Sequence, residues 1–162
     1  MSIIYLSETR FGKGIKAKTN INKGQKILDF KGPIVNRDEL PKPYDSSVDY
    51  YLQIDIDKFM GPSGEIDDYV NHSCDPNAGV SFSNDSISLI AIKPIQQGEE
   101  IFFDYSTTMY NFGWRMRCSC KSNNCRKWID DFLTIPDQVQ ERYIKLGIIP
   151  EYLKIRYRYN PL

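Results

Sequence analysis

Residues 70–80, VNHSCDPNAGV, contain the only histidine of the chain and one of its four cysteines. His72 and Cys74 are residue types that bind metals and take part in catalysis, and here they lie two positions apart. An Asp-Pro-Asn triplet follows at residues 75–77, and these residue types favour turns. The stretch therefore predicts a loop that carries chemistry and then turns toward the next strand.

The composition is that of an ordinary globular protein. The chain has 162 residues, of which 41% are apolar and 26% are charged, and Lys plus Arg equals Asp plus Glu at 21 each. This balance gives no basic footprint for nucleic acid. The N-terminus lacks the basic flank and long apolar stretch of a signal peptide, and no run of 18 apolar residues occurs. We therefore expect a soluble intracellular protein, cytoplasmic or nuclear in a eukaryote, with no membrane partner.

The cysteines are distributed as three plus one. Cys118, Cys120 and Cys125 lie in one short stretch, and Cys74 is remote from them. Cysteines two positions apart are poorly placed for a disulfide, and thiols of a non-secreted chain are usually kept reduced. Three clustered thiolates and one remote thiolate would form a closed, structural Cys₄ zinc site. Buried thiols without a metal and disulfides are the alternatives.

The hydrophobic pattern predicts short strands early in the chain. Residues 3–6, 25–30 and 50–56 are expected as strands, and residues 11–14 (Phe-Gly-Lys-Gly) as a turn. One spacing occurs twice: Ala17, Ile21, Gly24 and Ile27 recur as Ala91, Ile95, Gly98 and Ile101. We interpret this repeat as one hairpin that is used twice.

Beyond Cys125 the pattern becomes helical. Pro136 can begin a helix with Val139, Tyr143 and Leu146 on one face, ending at Gly147, and Pro150 can begin a second helix through Tyr157. These helices predict a small C-terminal cap.

Four segments occur in order along the chain: FGKGI, NHSCDPNA, GEEIFFDYS and CSCKSNNC. Together they resemble the SET-domain protein methyltransferases that carry a post-SET zinc module, over a span from about Ile3 to Cys125. The resemblance implies a mainly β fold with short helices, built of small β-sheets with a pseudoknot. It divides the chain into a SET domain at residues 1–106, a post-SET zinc module at 107–126 and a C-terminal helical extension at 127–162.

The resemblance also implies a protein-lysine N-methyltransferase that uses S-adenosylmethionine. Cofactor-binding positions would be Gly12, Lys13, Gly14, Tyr51, Asn71, His72 and Tyr105. The glycines let the backbone approach the cofactor closely. His72 is expected to position other groups and not to act as an acid or base. One Zn²⁺ would bind Cys74, Cys118, Cys120 and Cys125 and tie the tail to the core.

The family's catalytic tyrosine corresponds to Tyr105. A lysine amine reacts only when neutral, and an apolar channel beside a cationic cofactor would favour its deprotonation. Tyr105 would then orient the amine. Phe103 and Tyr51 would line the substrate channel, and phenylalanine at 103 predicts di- or trimethylation. Tyr50 is an alternative to Tyr51. Trp114 would either cover the adenine of the cofactor or pack the zinc lobe, and we slightly favour packing.

Two positions depart from the family pattern. Asp68 stands where many members have arginine, and Lys13 stands where an aromatic residue is frequent. The charge reversal at Asp68 leaves open a catalytically impaired, SET-like binding module. Another alternative is a zinc-stabilised interaction protein that binds a partner through Tyr152, Tyr157 and Tyr159.

The expected partner is a protein that presents a lysine, either a histone tail or another protein. A homodimer formed through residues 127–162 is a further expectation, and the sequence identifies neither the substrate nor the source organism.

Overall fold

Short strands come first and helices last, as the sequence pattern predicts. The computed structural model describes residues 2–42, 50–83, 86–111 and 113–159, without the side chains of residues 158 and 159. The strands of the described part are β1 (Ile4–Thr9), β2 (Gly12–Ala17), β3 (Lys26–Asp29), β4 (Ile34–Asn36), β5 (Leu52–Gln53), β6 (Lys58–Met60), β7 (Asn71–His72), β8 (Ala78–Phe82), β9 (Ile87–Ala91), β10 (Phe102–Phe103), β11 (Met116–Arg117) and β12 (Trp128–Ile129). The helices are α1 (Asp137–Lys145) and α2 (Glu151–Tyr159).

These strands form several small sheets. Two three-stranded antiparallel sheets have the orders β3-β9-β8 and β4-β6-β5, and β1-β2 and β11-β12 are antiparallel pairs. The strands β7 and β10 pair in parallel. The predicted fold class, mainly β with short helices, is confirmed.

The glycine-rich segment near the N-terminus is a strand where we predicted a turn. The chain turns at Arg10 and Phe11, and β2 begins at Gly12, whose φ of +87° suits glycine. Gly14 lies inside β2 and pairs with Ser7. Turn-like composition was misleading here because β1 supplies a partner for residues 12–14.

The strand predicted at residues 50–56 is also shorter than expected. Only Leu52 and Gln53 are extended and paired. The amide of Ile54 bonds to the carbonyl of Lys58 at 2.9 Å, and this bond closes a turn into β6. The apolar pattern of the segment therefore ends in a turn and does not continue the strand.

The repeated spacing does not reflect two separate hairpins. Ile21 and Ile95 exchange both backbone hydrogen bonds, at 2.8 and 2.9 Å. The amide of Gly24 bonds to the Ala91 carbonyl, and the amide of Gly98 bonds to the Ala17 carbonyl, at 2.7 and 2.8 Å. The two copies therefore pair with each other about a local two-fold, and each supplies the other's hydrogen-bond partners.

The main core lies between the β1-β2 hairpin and the β3-β9-β8 sheet. Its fully buried members include Ile15, Ala78, Val80, Leu89, Ile95 and Ile101. A second cluster surrounds the cysteines, and a third joins the C-terminal helices to the outer face of β9. A site between the first two clusters is thus enclosed from both sides.

Two segments that are distant in sequence lie side by side where β7 pairs in parallel with β10. The amide of Ser73 bonds to the Phe103 carbonyl at 3.1 Å. The side chain of Asn77 bonds to the Glu100 carbonyl and to the Phe102 amide, each at 2.8 Å. This pairing places the NHSC and FFDY segments next to each other.

The C-terminal cap agrees with the helical pattern. The helix α1 follows Pro136, buries Tyr143 fully and ends before Gly147, which has a φ of +71°. The cap contacts β8 closely, because a Cβ at Gly79 would lie 2.6 Å from Ile148 Cγ2. The side chain of Tyr159 lies outside the described part. In the described residues, no helix is long and apolar enough to cross a membrane.

Candidate active site and metal centre

The four cysteines converge on one point. Their sulfur atoms all lie within 4.8 Å of one another, and the Sγ atoms of Cys74 and Cys118 are 3.8 Å apart. Tetrahedral zinc with Zn–S bonds of about 2.3 Å requires sulfur pairs about 3.8 Å apart. Every cysteine is a free thiol, so the alternative of disulfides is not seen. The donor set and its spacing fit a structural zinc ion.

The protein backbone supports these sulfur atoms. The amide of Cys120 points at Cys118 Sγ and that of Arg126 at Cys74 Sγ, each at 3.4 Å. Burial raises the pKa of Cys74 to about 11. Burial also acts on Cys120, but hydrogen bonds from Ser122 and backbone amides outweigh it and lower the pKa to about 6. A cation in the centre would stabilise all four as thiolates.

His72 is buried between Tyr105 and the cysteines. Its Nδ1 accepts a hydrogen bond from the Tyr105 amide at 3.2 Å, so Nε2 carries the proton and points at Cys74 Sγ, 3.4 Å away. Burial lowers the pKa of His72 to about 4, although the charge of Asp104 opposes this shift. The imidazole is thus neutral and bonded on both sides within the protein, as a positioning group would be.

Asn71 is held against the glycines of β2. Its Nδ2 donates to the Lys13 carbonyl at 3.1 Å and to Glu100 Oε1 at 3.0 Å. A Cβ on Gly14 would lie 2.6 Å from this nitrogen and 2.8 Å from the Glu100 oxygen. Only glycine at position 14 leaves Asn71 in place.

Two cavities in this region share some of their lining residues. The wide cleft, of about 420 Å³, is lined by residues that include Gly12, Lys13, Asn71, His72 and Cys118. The narrow channel, of about 70 Å³, is lined by residues that include Phe30, Tyr51, Val70, Phe103 and Trp114. Tyr50, Asp68 and Tyr105 line both. A group bound in the cleft and another in the channel would therefore meet beside these three side chains.

Tyr105 is firmly oriented at this junction. Its hydroxyl donates to the Val70 carbonyl at 2.9 Å. Its ring contacts the rings of His72 and Phe103, with centroids 5.2 and 4.8 Å away. The side chain can therefore present its hydroxyl at a fixed place between the two cavities.

The structure distinguishes the two neighbouring tyrosines. Tyr51 is half-buried and lines the narrow channel, as expected for a channel residue. Tyr50 is 51% exposed and lines both cavities. Tyr50 therefore lines the wide cleft, whereas the sequence analysis favoured Tyr51 as the cofactor-binding tyrosine. Trp114 is buried in the cysteine cluster and also lines the channel.

Asp68 is engaged by the preceding loop. Its carboxylate accepts hydrogen bonds from the amides of Ser63 and Gly64, at 2.9 and 2.7 Å, and from the Ser63 hydroxyl at 3.2 Å. The departure from the family pattern therefore has a local structural use. These bonds hold the Asp68 carboxylate against the loop.

Sequence reasoning missed a buried ion pair next to Tyr105. Asp104 is 1% exposed and accepts two hydrogen bonds from the Arg126 guanidinium, at 2.6 and 2.7 Å. It also accepts a bond from the Tyr143 hydroxyl at 3.0 Å. Asp104 lies inside FFDY and Arg126 directly follows Cys125. Their positions beside these motifs were the only feature of the sequence that could have indicated the ion pair.

Comparison with known proteins gives one family. The model of the SET domain matches residues 12–106. The histone-lysine N-methyltransferase Set2 of Drosophila melanogaster is 35% identical over 132 residues, which cover 73% of this chain and 6% of that protein. The H3 lysine-9 specific histone-lysine N-methyltransferase KMT1 of Fusarium mangiferae is 33% identical over 157 residues, covering 73% of this chain and 45% of that protein. The chain thus spans less than half the length of these relatives.

Solved structures show the same fold. The methyltransferase domain of human SETMAR has a TM-score of 0.64 at 24% identity, covering 79% of this chain and 58% of that one. KRYPTONITE, in complex with mCHH DNA, an H3(1–15) peptide and SAH, has a TM-score of 0.61 at 19% identity, covering 78% of this chain and 29% of that one.

Proposed function

The chain belongs to the SET-domain family, and from that premise we propose that it is a protein-lysine N-methyltransferase that uses S-adenosylmethionine. The observation that carries the proposal is that Tyr105 lines both the wide cleft and the narrow channel. A methyl transfer between a nucleoside cofactor and a lysine side chain needs two such entrances with one junction. The relatives are named as histone-lysine methyltransferases, which supports the same activity.

The wide cleft is the proposed cofactor site. Its volume of about 420 Å³ lies within the range of about 300–1,000 Å³ that is usual for small-molecule sites. Backbone groups of Gly12 and Lys13, with Asn71 and His72, would hold the ligand there, and Gly14 would contribute by leaving room for Asn71. Because both nitrogens of the His72 ring already have partners in the protein, we propose that His72 contributes through its backbone. Tyr105 borders the cleft at its reactive end.

The narrow channel would hold the lysine side chain. Phe30, Phe103 and Trp114 give it an apolar wall, and desolvation by such a wall lowers the pKa of a lysine amine. When bound, S-adenosylmethionine would supply the methyl group for the neutral lysine nitrogen, with S-adenosylhomocysteine as the leaving group. Tyr105 would orient the nitrogen for this transfer, and alignment of reacting atoms is a large part of catalysis. The amine proton is lost to solvent beforehand.

We propose a di- or trimethylated product. Phe103 is buried against Phe30 and Tyr105 and lines the narrow channel. It has no hydroxyl that could hold a water molecule in the space of a further methyl group. The channel can then accept a lysine that already carries one methyl group.

A zinc ion held by the four cysteines would have a structural role. With all four positions taken by thiolates, no site remains open for a substrate. Cys74 directly follows the proposed cofactor segment, and Arg126 joins Cys125 to Asp104. The ion would thus fasten the module at residues 107–126 onto the SET domain at residues 1–106. The extension at residues 127–162 begins with β12, which pairs with β11 of this module.

We propose a histone tail or another lysine-bearing protein as the substrate, which places the enzyme in the nucleus or the cytoplasm. The zero net charge supports recognition of a protein segment without a DNA footprint. The loop at residues 63–64 binds the Asp68 carboxylate, which gives this residue a structural role that does not require a loss of catalysis. A homodimer through the C-terminal extension stays a prediction.

A peptide array with radiolabelled S-adenosylmethionine tests the proposal. Label on lysine peptides from histones or other proteins, absent when the target lysine is replaced by arginine, would support it and identify the substrate. The absence of label on every peptide and on whole histones, from protein that holds zinc and binds the cofactor, would contradict it.

A further inference from the structure

The C-terminal helices contact both ends of the segment that carries Tyr105. Tyr143 of α1 donates a hydrogen bond to Asp104 at 3.0 Å. Tyr152 of α2 donates to the carbonyl of Thr108. Residues 104–108 are therefore held at their first residue by one helix and at their last residue by the other.

This segment has little regular structure of its own. It contains a single 3-10 turn, Tyr105–Thr107, closed by bonds from the Ser106 amide and the Thr107 hydroxyl to Asp104. Turns of this length have poor hydrogen-bond geometry and are marginal in isolation. External contacts must therefore decide where the segment lies.

Tyr152 also reaches the opposite wall of the narrow channel. Its hydroxyl lies 3.1 Å from the Gln53 carbonyl in β5. Leu52 in the same strand and Thr108 both line the channel. The same hydroxyl thus lies between two walls of the channel, close to a backbone carbonyl of each.

Both tyrosines are suited to permanent contacts. Burial raises the pKa of each hydroxyl above the ordinary value of tyrosine, so both stay protonated and act as donors at neutral pH. The ring of Tyr143 is fully buried and that of Tyr152 is half-buried. The hydroxyl of Tyr152 points into the protein and bonds there, so a partner could contact only the half-exposed ring.

We infer that the C-terminal extension is a positioning element, in which the hydroxyls of Tyr143 and Tyr152 act together with the bonds of Tyr105 to Val70 and His72 to set the place of Tyr105 and the width of the narrow channel. The inference rests on the proposed methyltransferase function. Tyr143 and Tyr152 lie beyond the matched SET-domain segment. They would affect methyl transfer through their bonds to Asp104 and Thr108. Neither tyrosine lines the wide cleft, so cofactor binding should not depend on them.

The test uses the full chain with Tyr143→Phe and Tyr152→Phe, which remove only the hydroxyl groups. Tyr157→Phe in α2 is the matched control, because it removes the same group from the same helix. Hydrogen–deuterium exchange of a peptide covering residues 104–109 should become faster in both variants and stay unchanged in the control. The kcat should fall by about tenfold, as expected when reacting groups lose alignment. The Kd of S-adenosylhomocysteine should stay within about twofold, because neither hydroxyl lines the wide cleft.

Two results would overturn the positioning role. One is unchanged exchange at residues 104–109 in both variants. The other is faster exchange with an unchanged kcat and an unchanged KM for the peptide, which would leave these tyrosines with a purely structural part. Lack of methyl transfer by the wild-type protein is a different result: it contradicts the proposed function, and the exchange measurement still decides whether the contacts hold the segment.

Discussion

The hydroxyl of Tyr105 donates a hydrogen bond to the backbone carbonyl of Val70 at 2.9 Å. Val70 directly precedes Asn71, which lies on the wide cleft. The bond therefore ties the proposed catalytic side chain to the proposed cofactor segment. Because the amide of Tyr105 also bonds to His72, the residue is fixed at both its main chain and its side chain.

Removal of the metal should abolish methyl transfer while the β3-β9-β8 sheet stays folded. We expect Cys74→Ser, or treatment with a strong chelator, to release one zinc ion and to detach residues 107–126 from the channel. Elemental analysis, circular dichroism and a transfer assay would follow these effects together. Re-addition of Zn²⁺ to the chelated wild type is the control and should restore transfer. Full activity in protein shown to be metal-free would refute the coupling.

Gly14→Ala should weaken cofactor binding by about tenfold or more, equivalent to about 1.4 kcal/mol. The added Cβ would collide with Asn71 Nδ2 and Glu100 Oε1, so Asn71 must leave its place on the wide cleft. Titration calorimetry with S-adenosylhomocysteine measures the effect. Lys16→Ala, on the same strand β2, should bind normally. Equal affinities of the Gly14 variant and the wild type would remove Asn71 from the proposed cofactor site.

Asp68→Asn should reduce the free energy of unfolding by about 1 kcal/mol or more, because hydrogen bonds to a charged group are each worth about 1.5–3 kcal/mol. The carboxylate holds the loop at Ser63 and Gly64. Denaturant unfolding gives the change, with Asp57→Asn as the control, since Asp57 forms only an exposed ion pair with Arg37. If both variants unfold alike, the loop does not depend on Asp68.

Phe103→Tyr should shift the product toward monomethyl-lysine. A hydroxyl at this buried position of the channel can hold a water molecule in the space that a second methyl group needs. Mass spectrometry of a peptide under excess cofactor should show di- or trimethylation with the wild type and mainly monomethylation with the variant. A wild-type product that stops at one methyl group would disprove the assignment of Phe103.

Local motifs predicted that the four cysteines lie together, and long-range pairing limited the rest. The NHSC and CSC segments led to the four cysteines that converge in the structure, and Pro136 and Gly147 marked the ends of α1. These features depend on residues near one another in sequence or on a known donor set. The sequence also indicated a mainly β fold before any strand partner was known.

The errors have a common physical cause. The segment at residues 11–14 has turn-like glycines, yet β1 pairs with most of it. The repeated spacing was interpreted as a hairpin within each copy, although the two copies pair with each other across 74 positions, at Ile21 and Ile95. Asp104, Arg126 and Tyr143 meet through three separate elements. Partners this far apart leave no periodic signal in the sequence.

The measurement that bears most directly on the central claim is the methyl-transfer rate of Tyr105→Phe, with the affinity for S-adenosylhomocysteine measured on the same sample. The variant keeps the ring contacts with His72 and Phe103 and loses only the hydroxyl. We predict a rate at least about 100-fold below that of the wild type, as expected when a reacting group loses its alignment, with unchanged cofactor affinity. A wild-type rate in this variant would contradict the account, because Tyr105 would then not be the residue at which cofactor and lysine meet.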